Sequence, residues 1–208
     1  MEAGLGIECD IQRSSDAHPM VFHDWDLQRL LGVEGQTESY SADDLRSMRY
    51  PGTDEAPITL SSLLEIVAGK APLLIEIKSK RGYHVAKTCV LVREVLRNYA
   101  GIYAVMSFDP RVSRWFATHS PEMPRGLVVT EEKDRGAVGN FRRHIALWHA
   151  RPDFLAYEIR DLPSTFAASQ RKRGLPISTW TVRNADQYAI ASRHADAAIA
   201  EDAGLGVK

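Results

Sequence analysis

Two carboxylates two residues apart, Glu8 and Asp10, interrupt the apolar run Ile7-Glu8-Cys9-Asp10-Ile11. On a strand this spacing points both acids to one face and Ile7, Cys9 and Ile11 to the other. Neighbouring carboxylates near the end of a buried strand repel each other and lose hydration, a cost that a divalent cation relieves by accepting hard oxygen ligands. A solvated pair at a strand edge has the same spacing. A second interrupted run, Leu73-Leu74-Ile75-Glu76-Ile77-Lys78, adds Glu76 as the third member of a carboxylate triad and sets Lys78 beside it. A Glu76–Lys78 structural ion pair, or a lysine that reaches out to solvent, is the other account of that spacing. A metal and a lysine at one mouth form a receptor for a phosphate, because two positive charges neutralise a diester and its transition state. The run Val21-Phe22-His23-Asp24 supplies a histidine at a strand end, able to exchange protons near neutral pH. The other six histidines fall in turns or on helices and carry no assignment. Phe108 and Trp180 lie at or near later strand ends, where an aromatic serves either the core or a substrate-packing wall.

Several chemistries are excluded. The chain has 208 residues and a net charge of -1, so no field attracts a polyanion and a nucleic acid is not an expected partner. No Gly-x-Ser-x-Gly elbow, complete Gly-x-Gly-x-x-Gly, phosphate loop or His-Glu-x-x-His occurs. Cys9 and Cys89 have neither metal-ligand spacing nor the density of a disulfide framework, which fits a reducing compartment. With no leader-like opening and no apolar run long enough to span a bilayer, a cytoplasmic protein without a stable membrane anchor is expected. No exposed aromatic cluster or amphipathic membrane helix is evident in the sequence.

The elements that must position these residues read as parallel βα units, short β-rich runs each followed by a turn or cap and a helical segment. Runs at 6–12, 73–78, 102–108, 126–130, 154–159, 177–182 and 197–201 are expected strands. Asp109 and Pro110 open a helix after the third run, and Ser164 and Asn184 cap helices after the fifth and sixth. Gly174 ends the helix that Ser164 opens. Val85, Cys89, Val92 and Leu96 recur at helical steps between 83 and 99, and capped helices are expected at 41–48 and 59–67. The segment 19–23 is a β-excursion from the end of the first strand rather than a member of the main series. Residues 131–139 form a charged, glycine-punctuated loop, and 1–208 is expected to be one domain.

Taken in order, Glu8-Cys9-Asp10, Ser15-Asp16, Val21-Phe22-His23-Asp24, Glu76-Ile77-Lys78, Ser107-Phe108 and Trp180-Thr181-Val182 resemble the motifs of the glycerophosphodiester phosphodiesterases. The resemblance implies an α/β fold, the TIM (β/α)8 barrel, and hydrolysis of a small-molecule glycerophosphodiester to an alcohol and sn-glycerol 3-phosphate. It also implies a divalent cation, Mg2+ or Ca2+, held by Glu8, Asp10 and Glu76. His23 matches the acid/base serving the leaving group, Lys78 a phosphate contact, and Trp180 with Phe108 the apolar wall beside the glycerol. Family members open with a strand ending in His-Arg-Gly, and this chain begins inside the helix that follows. A barrel with its first β-strand and most of its first helix missing is therefore expected, roughly 40 residues short of the ~250 typical of the fold. Two rivals follow: a catalytically impaired phosphodiester-binding homologue, and a phospholipase C- or D-like enzyme acting on lipids. Neither the alcohol moiety nor the oligomeric state is legible.

Overall fold

A computed structural model describes residues 4–132 and 135–206. The expected helix remnant at the N-terminus lies mostly outside these residues, as does part of the 131–139 segment. The chain clusters into two compact units, Met1–Val105 and Met106–Lys208.

In the first unit, β1 (Ile7–Arg13) pairs antiparallel with β2 (Pro19–Val21). A short helix α1 (Gln28–Leu31) and α2 (Ala42–Ser47) follow, and Ser41 and Asp44 close a capping box at the start of α2. The two-residue β3 (Ile58–Thr59) pairs antiparallel with β2, so the excursion has a further strand that the sequence did not reveal. Thr59 then caps α3 (Leu60–Val67). Next come β4 (Leu73–Ile77) and α4 (Val85–Leu96). Within this unit the strand order is β3-β2-β1-β4, with β1 and β4 parallel. Met20, Phe22, Leu27, Leu31, Ala42 and Leu45 form one buried cluster, which fixes the strand and short helices that flank His23. Burial of such side chains outweighs the intrinsic weakness of one-turn helices.

Strand β5 (Tyr103–Ser107) carries the boundary between the units. The second unit continues with α5 (Pro110–His119), β6 (Arg125–Val129), α6 (Ala137–Ala150), β7 (Phe154–Glu158), α7 (Thr165–Lys172), β8 (Ile177–Val182), α8 (Ala185–His194) and β9 (Ala197–Ala200). Strands β6, β7, β8 and β9 are parallel neighbours in that order. Asp109, Ser164 and Asn184 each cap the expected helix by accepting from a backbone N–H of its first turn. Gly174 follows α7 with φ of 87°, a left-handed conformation that suits glycine.

One sequence expectation is corrected here. The charged loop does not run to 139: α6 begins at Ala137, and its Gly139 is buried inside the helix. The outer face of α6 is apolar as well, with Val138, Phe141, Ile145 and Trp148 all facing solvent. The helix is apolar on two faces, so no clean periodic contrast marks it in the sequence.

Candidate metal and phosphodiester site

The parallel register of β1 on β4 sets Asp10 opposite Glu76 and Glu8 opposite Leu74. Side chains alternate along a strand, so Glu8, Asp10 and Glu76 share one face while Cys9, Ile11, Ile75 and Ile77 are buried on the other. One ligand oxygen from each of Glu8, Asp10 and Glu76 lies within 4.8 Å of the others. Lys78, one residue past β4, brings Nζ to 3.0 Å from Asp10 and 3.6 Å from Glu76. Its backbone N–H donates to Ile11 O at 3.0 Å, which extends the strand ladder and fixes the direction of the side chain.

The electrostatics follow from this crowding. Burial pushes the Glu76 carboxyl up, Lys78 opposes that shift, and Asp10 adds to it. For Lys78, burial works against the charged form, but Glu76 and Asp10 outweigh it and the ammonium is held above its ordinary value. Taken by themselves, the three carboxylates and the Lys78 ammonium sum to a formal charge of -2. A divalent cation matches that excess and the all-oxygen donor set, so the residues present fit such an ion. The predicted structural ion pair of Lys78 with Glu76 is also present, and its contact with Asp10 is the shorter one.

His23 lies just beyond β2, with its side chain 64% exposed. Its Nδ1 donates to Asp24 Oδ1 at 2.7 Å. Asp24 is held in turn by Arg29, whose Nε and Nη2 donate at 2.6 and 2.7 Å. The Arg29 hydrogen bonds act most strongly, burial opposes them, and His23 adds a further lowering, so that the Asp24 carboxyl is held down to about 2. With Nδ1 committed to an ionised carboxylate, Nε2 is the ring atom left for proton exchange. The charge of His23 acts on Glu76, though less than those of Lys78 and Asp10. The turn carrying His23 is anchored by Gln12, whose amide donates to Phe22 O at 3.0 Å and also to Asp24 O, while Thr37 Oγ1 donates to Gln12 Oε1 at 3.2 Å. Gln12 and Arg29 were not identified from the sequence. Gln12 has the parity of Glu8 and Asp10 on β1, a signal that was available; Arg29, five residues past Asp24 in the four-residue helix α1, left none.

In the second unit, Phe108 and Trp180 meet edge to face, with ring centroids 5.4 Å apart. Trp180 Nε1 donates to Ala156 O at 2.9 Å, which ties the indole to β7, while Phe108 remains 45% exposed.

The glycerophosphoryl diester phosphodiesterase family model matches residues 1–205. The chain belongs to this family. Its fold class is accordingly α/β, the TIM barrel, and a glycerophosphodiester phosphodiesterase is a hydrolase that takes a small-molecule diester. Solved structures agree on the fold. A phosphodiesterase from Oleispira antarctica, in complex with the product sn-glycerol 3-phosphate, is 19% identical with a TM-score of 0.83, over 99% of this chain and 84% of that one. A glycerophosphodiester phosphodiesterase from Thermotoga maritima is 25% identical with a TM-score of 0.75, over 96% and 83% of the two chains. One from Parabacteroides distasonis is 17% identical with a TM-score of 0.76, over 96% and 80%. No curated protein matches by sequence. Among the described residues, no helix is long and apolar enough to cross a membrane.

Proposed function

We propose that this phosphodiesterase is metal-dependent and that Glu8, Asp10, Glu76, Lys78 and His23 form its catalytic set, releasing an alcohol and sn-glycerol 3-phosphate from a glycerophosphodiester. The observation that carries the reading is the meeting of three carboxylate oxygens within 4.8 Å of one another, with Lys78 Nζ at 3.0 Å from one of them. Glu8, Asp10 and Glu76 hold the ion, Mg2+ or Ca2+, which when bound supplies positive charge to the diester oxygens. Lys78 neutralises a nonbridging phosphoryl oxygen, and its two carboxylate partners orient the ammonium. His23 Nε2 donates a proton to the departing alcohol oxygen as the P–O bond breaks, and Asp24 with Arg29 holds the ring for that transfer. A water adds to phosphorus in place of the alcohol and gives up a proton to His23 Nε2, which restores the ring for the next turnover. Phe108 and Trp180 are assigned the apolar surface beside the glycerol, a role that rests on the motif resemblance and on the exposed edge of Phe108.

The test is release of glycerol 3-phosphate from glycerophosphocholine and glycerophosphoethanolamine after chelation, then with Mg2+ or Ca2+ restored. Turnover should vanish with chelator and return with one of the two ions. His23→Ala should lower kcat by ~10²–10⁴ with little change in KM. Metal-dependent binding of the diester without turnover would replace this reading with that of a binding protein. Turnover that survives chelation would remove the ion from it.

A further inference from the structure

An ammonium group already sits in an aromatic cage in the first unit, and it belongs to the chain itself. Lys80 Nζ lies 4.5 Å from the ring centroid of Trp25 and 5.9 Å from that of Tyr83. The two rings meet edge to face, 5.8 Å apart. Nζ donates to Gln36 Oε1 at 2.7 Å and stands 3.6 Å from Glu38 Oε2. Aromatic faces hold cations in this way, and cages built from them take up quaternary ammonium ligands such as choline.

The chain puts this cage next to the reacting groups. Residues two apart have Cα atoms at most about 7 Å from each other, and Trp25 is two past His23 as Lys80 is two past Lys78. Gln12 tightens the link. Its amide donates to the carbonyls of Phe22 and His23, while its Oε1 accepts from Thr37, which lies between Gln36 and Glu38. One side chain therefore anchors both the turn that carries His23 and the turn that closes the cage. Arg13, of opposite parity on β1, donates from Nη1 to Thr88 at 3.1 Å and from Nη2 to Glu38 at 2.9 Å. Glu38 is thus shared by two cations, and Arg13, Lys80 and Glu38 taken by themselves sum to a formal charge of +1.

His23 is assigned the proton for the departing alcohol oxygen, so the rest of the alcohol extends from that point, while Phe108 and Trp180 are assigned to the glycerol. From the cage and its place we infer that Lys80 selects the leaving alcohol, favouring glycerophosphodiesters of an uncharged polyol over those of choline or ethanolamine. It fills the seat that a cationic alcohol would take. A trimethylammonium arriving there meets a like charge, an acid already shared and a ring face already covered. A hydroxyl meets a donor: among the described residues Nζ makes one hydrogen bond, and an ammonium has three N–H groups to give. The inference rests on the phosphodiesterase reading and deepens it by naming the class of alcohol.

The measurement is kcat/KM for glycerophosphoglycerol and glycerophosphoinositol against glycerophosphocholine, with the divalent ion present, for the wild type and variants at position 80. The wild type should favour the polyol diesters by at least about tenfold, the order of a like-charge penalty in a partly buried site. Lys80→Ala empties the cage, so kcat/KM for the choline diester should rise by about fivefold or more as its trimethylammonium takes the face of Trp25. The polyol diesters should lose their advantage in the same variant. Adding Trp25→Leu to it should cancel the gain. Lys80→Met leaves the cage filled without charge and should lose the polyol preference with no gain on choline, whereas Lys80→Arg should keep the preference. The Lys80 side chain is 33% exposed and its ion pair is a surface one, so melting temperatures should stay close to that of the wild type. A wild type that turns over both classes equally, or a Lys80→Ala protein whose ratio is unchanged, would overturn the inference and leave the phosphodiesterase reading standing. A wild type that hydrolyses none of the three diesters with its ion present would overturn both.

Discussion

Lys78 is placed to show how the charges of the site are divided, because it contacts two of the three clustered carboxylates. Lys78→Met keeps the length and removes the charge. In the metal-free protein this leaves Asp10 and Glu76 buried without compensation, a loss of about 3 kcal/mol when one partner of a buried pair is removed. Affinity for Mg2+ or Ca2+ should rise, since no ammonium competes for the same oxygens, while kcat/KM falls. Calorimetry of ion binding beside steady-state kinetics separates the two effects, and an unchanged kcat/KM would leave Lys78 a purely structural partner. At the histidine, Asp24 is held at about 2 by Arg29 and His23 against an ordinary value of 3.8. A depressed carboxylate contributes stability that is fully present above its ordinary range and is lost as pH falls through its folded value, here between about 4 and 2. Arg29→Ala should therefore bring the Asp24 titration back up toward 3.8, moving the acid end of the kcat profile and leaving KM nearly unchanged. A carboxyl resonance that titrates as in the wild type would detach Arg29 from this role. Residue parity made the shared face of Glu8 and Asp10 legible, because period two along a strand fixes a face, while the meeting of Glu76 with that pair depends on β4 lying beside β1 and was implied by the motif resemblance. The Asp24–Arg29 link was not, because it crosses a stretch with no period to read.

The same contrast governs the elements. All seven expected runs contain strands, since short β-rich stretches between turn residues carry their signal locally, and Asp109, Ser164 and Asn184 cap where a cap was expected. What escaped is of two kinds. The two-residue β3 is too short to carry alternation, and its existence depends on β2 being there to pair with it. Helix α6 escaped for the opposite reason: with apolar residues on both faces it lacks the polar stripe by which an amphipathic helix is recognised. The caps are testable in isolation. Asn184 accepts from Gln187 N at 2.9 Å at the start of α8, and Asn184→Ala should cost about 1 kcal/mol in denaturant unfolding. A cost of a few tenths, as for an uncapped surface site, would mean that packing of α8 through Ala191 holds the helix without its cap.

At the scale of the whole molecule, the clustered carboxylates are unevenly distributed: Glu8, Asp10 and Glu76 all belong to the Met1–Val105 unit, while one family model runs across both units. An ion that binds the folded state alone stabilises it by about 2.7 kcal/mol when present at about 100 times its dissociation constant. For a chain of this size each kcal/mol moves the melting temperature by about 2–4 °C. Saturating Mg2+ or Ca2+ should thus raise the transition in which the first unit unfolds by roughly 5–11 °C over the chelated protein. If the chain melts in one step, the whole transition moves. If it melts in two, only the step that exposes Trp25, in the first unit, moves, and the step followed by Trp180 stays where it was. Glu76→Gln should abolish the shift, because it removes a ligand from the buried centre of the triad without leaving a charge behind. Calorimetry paired with tryptophan fluorescence of single-tryptophan variants reads both steps. A melting curve that is the same with chelator and with millimolar ion would mean that the three carboxylates stabilise no ion.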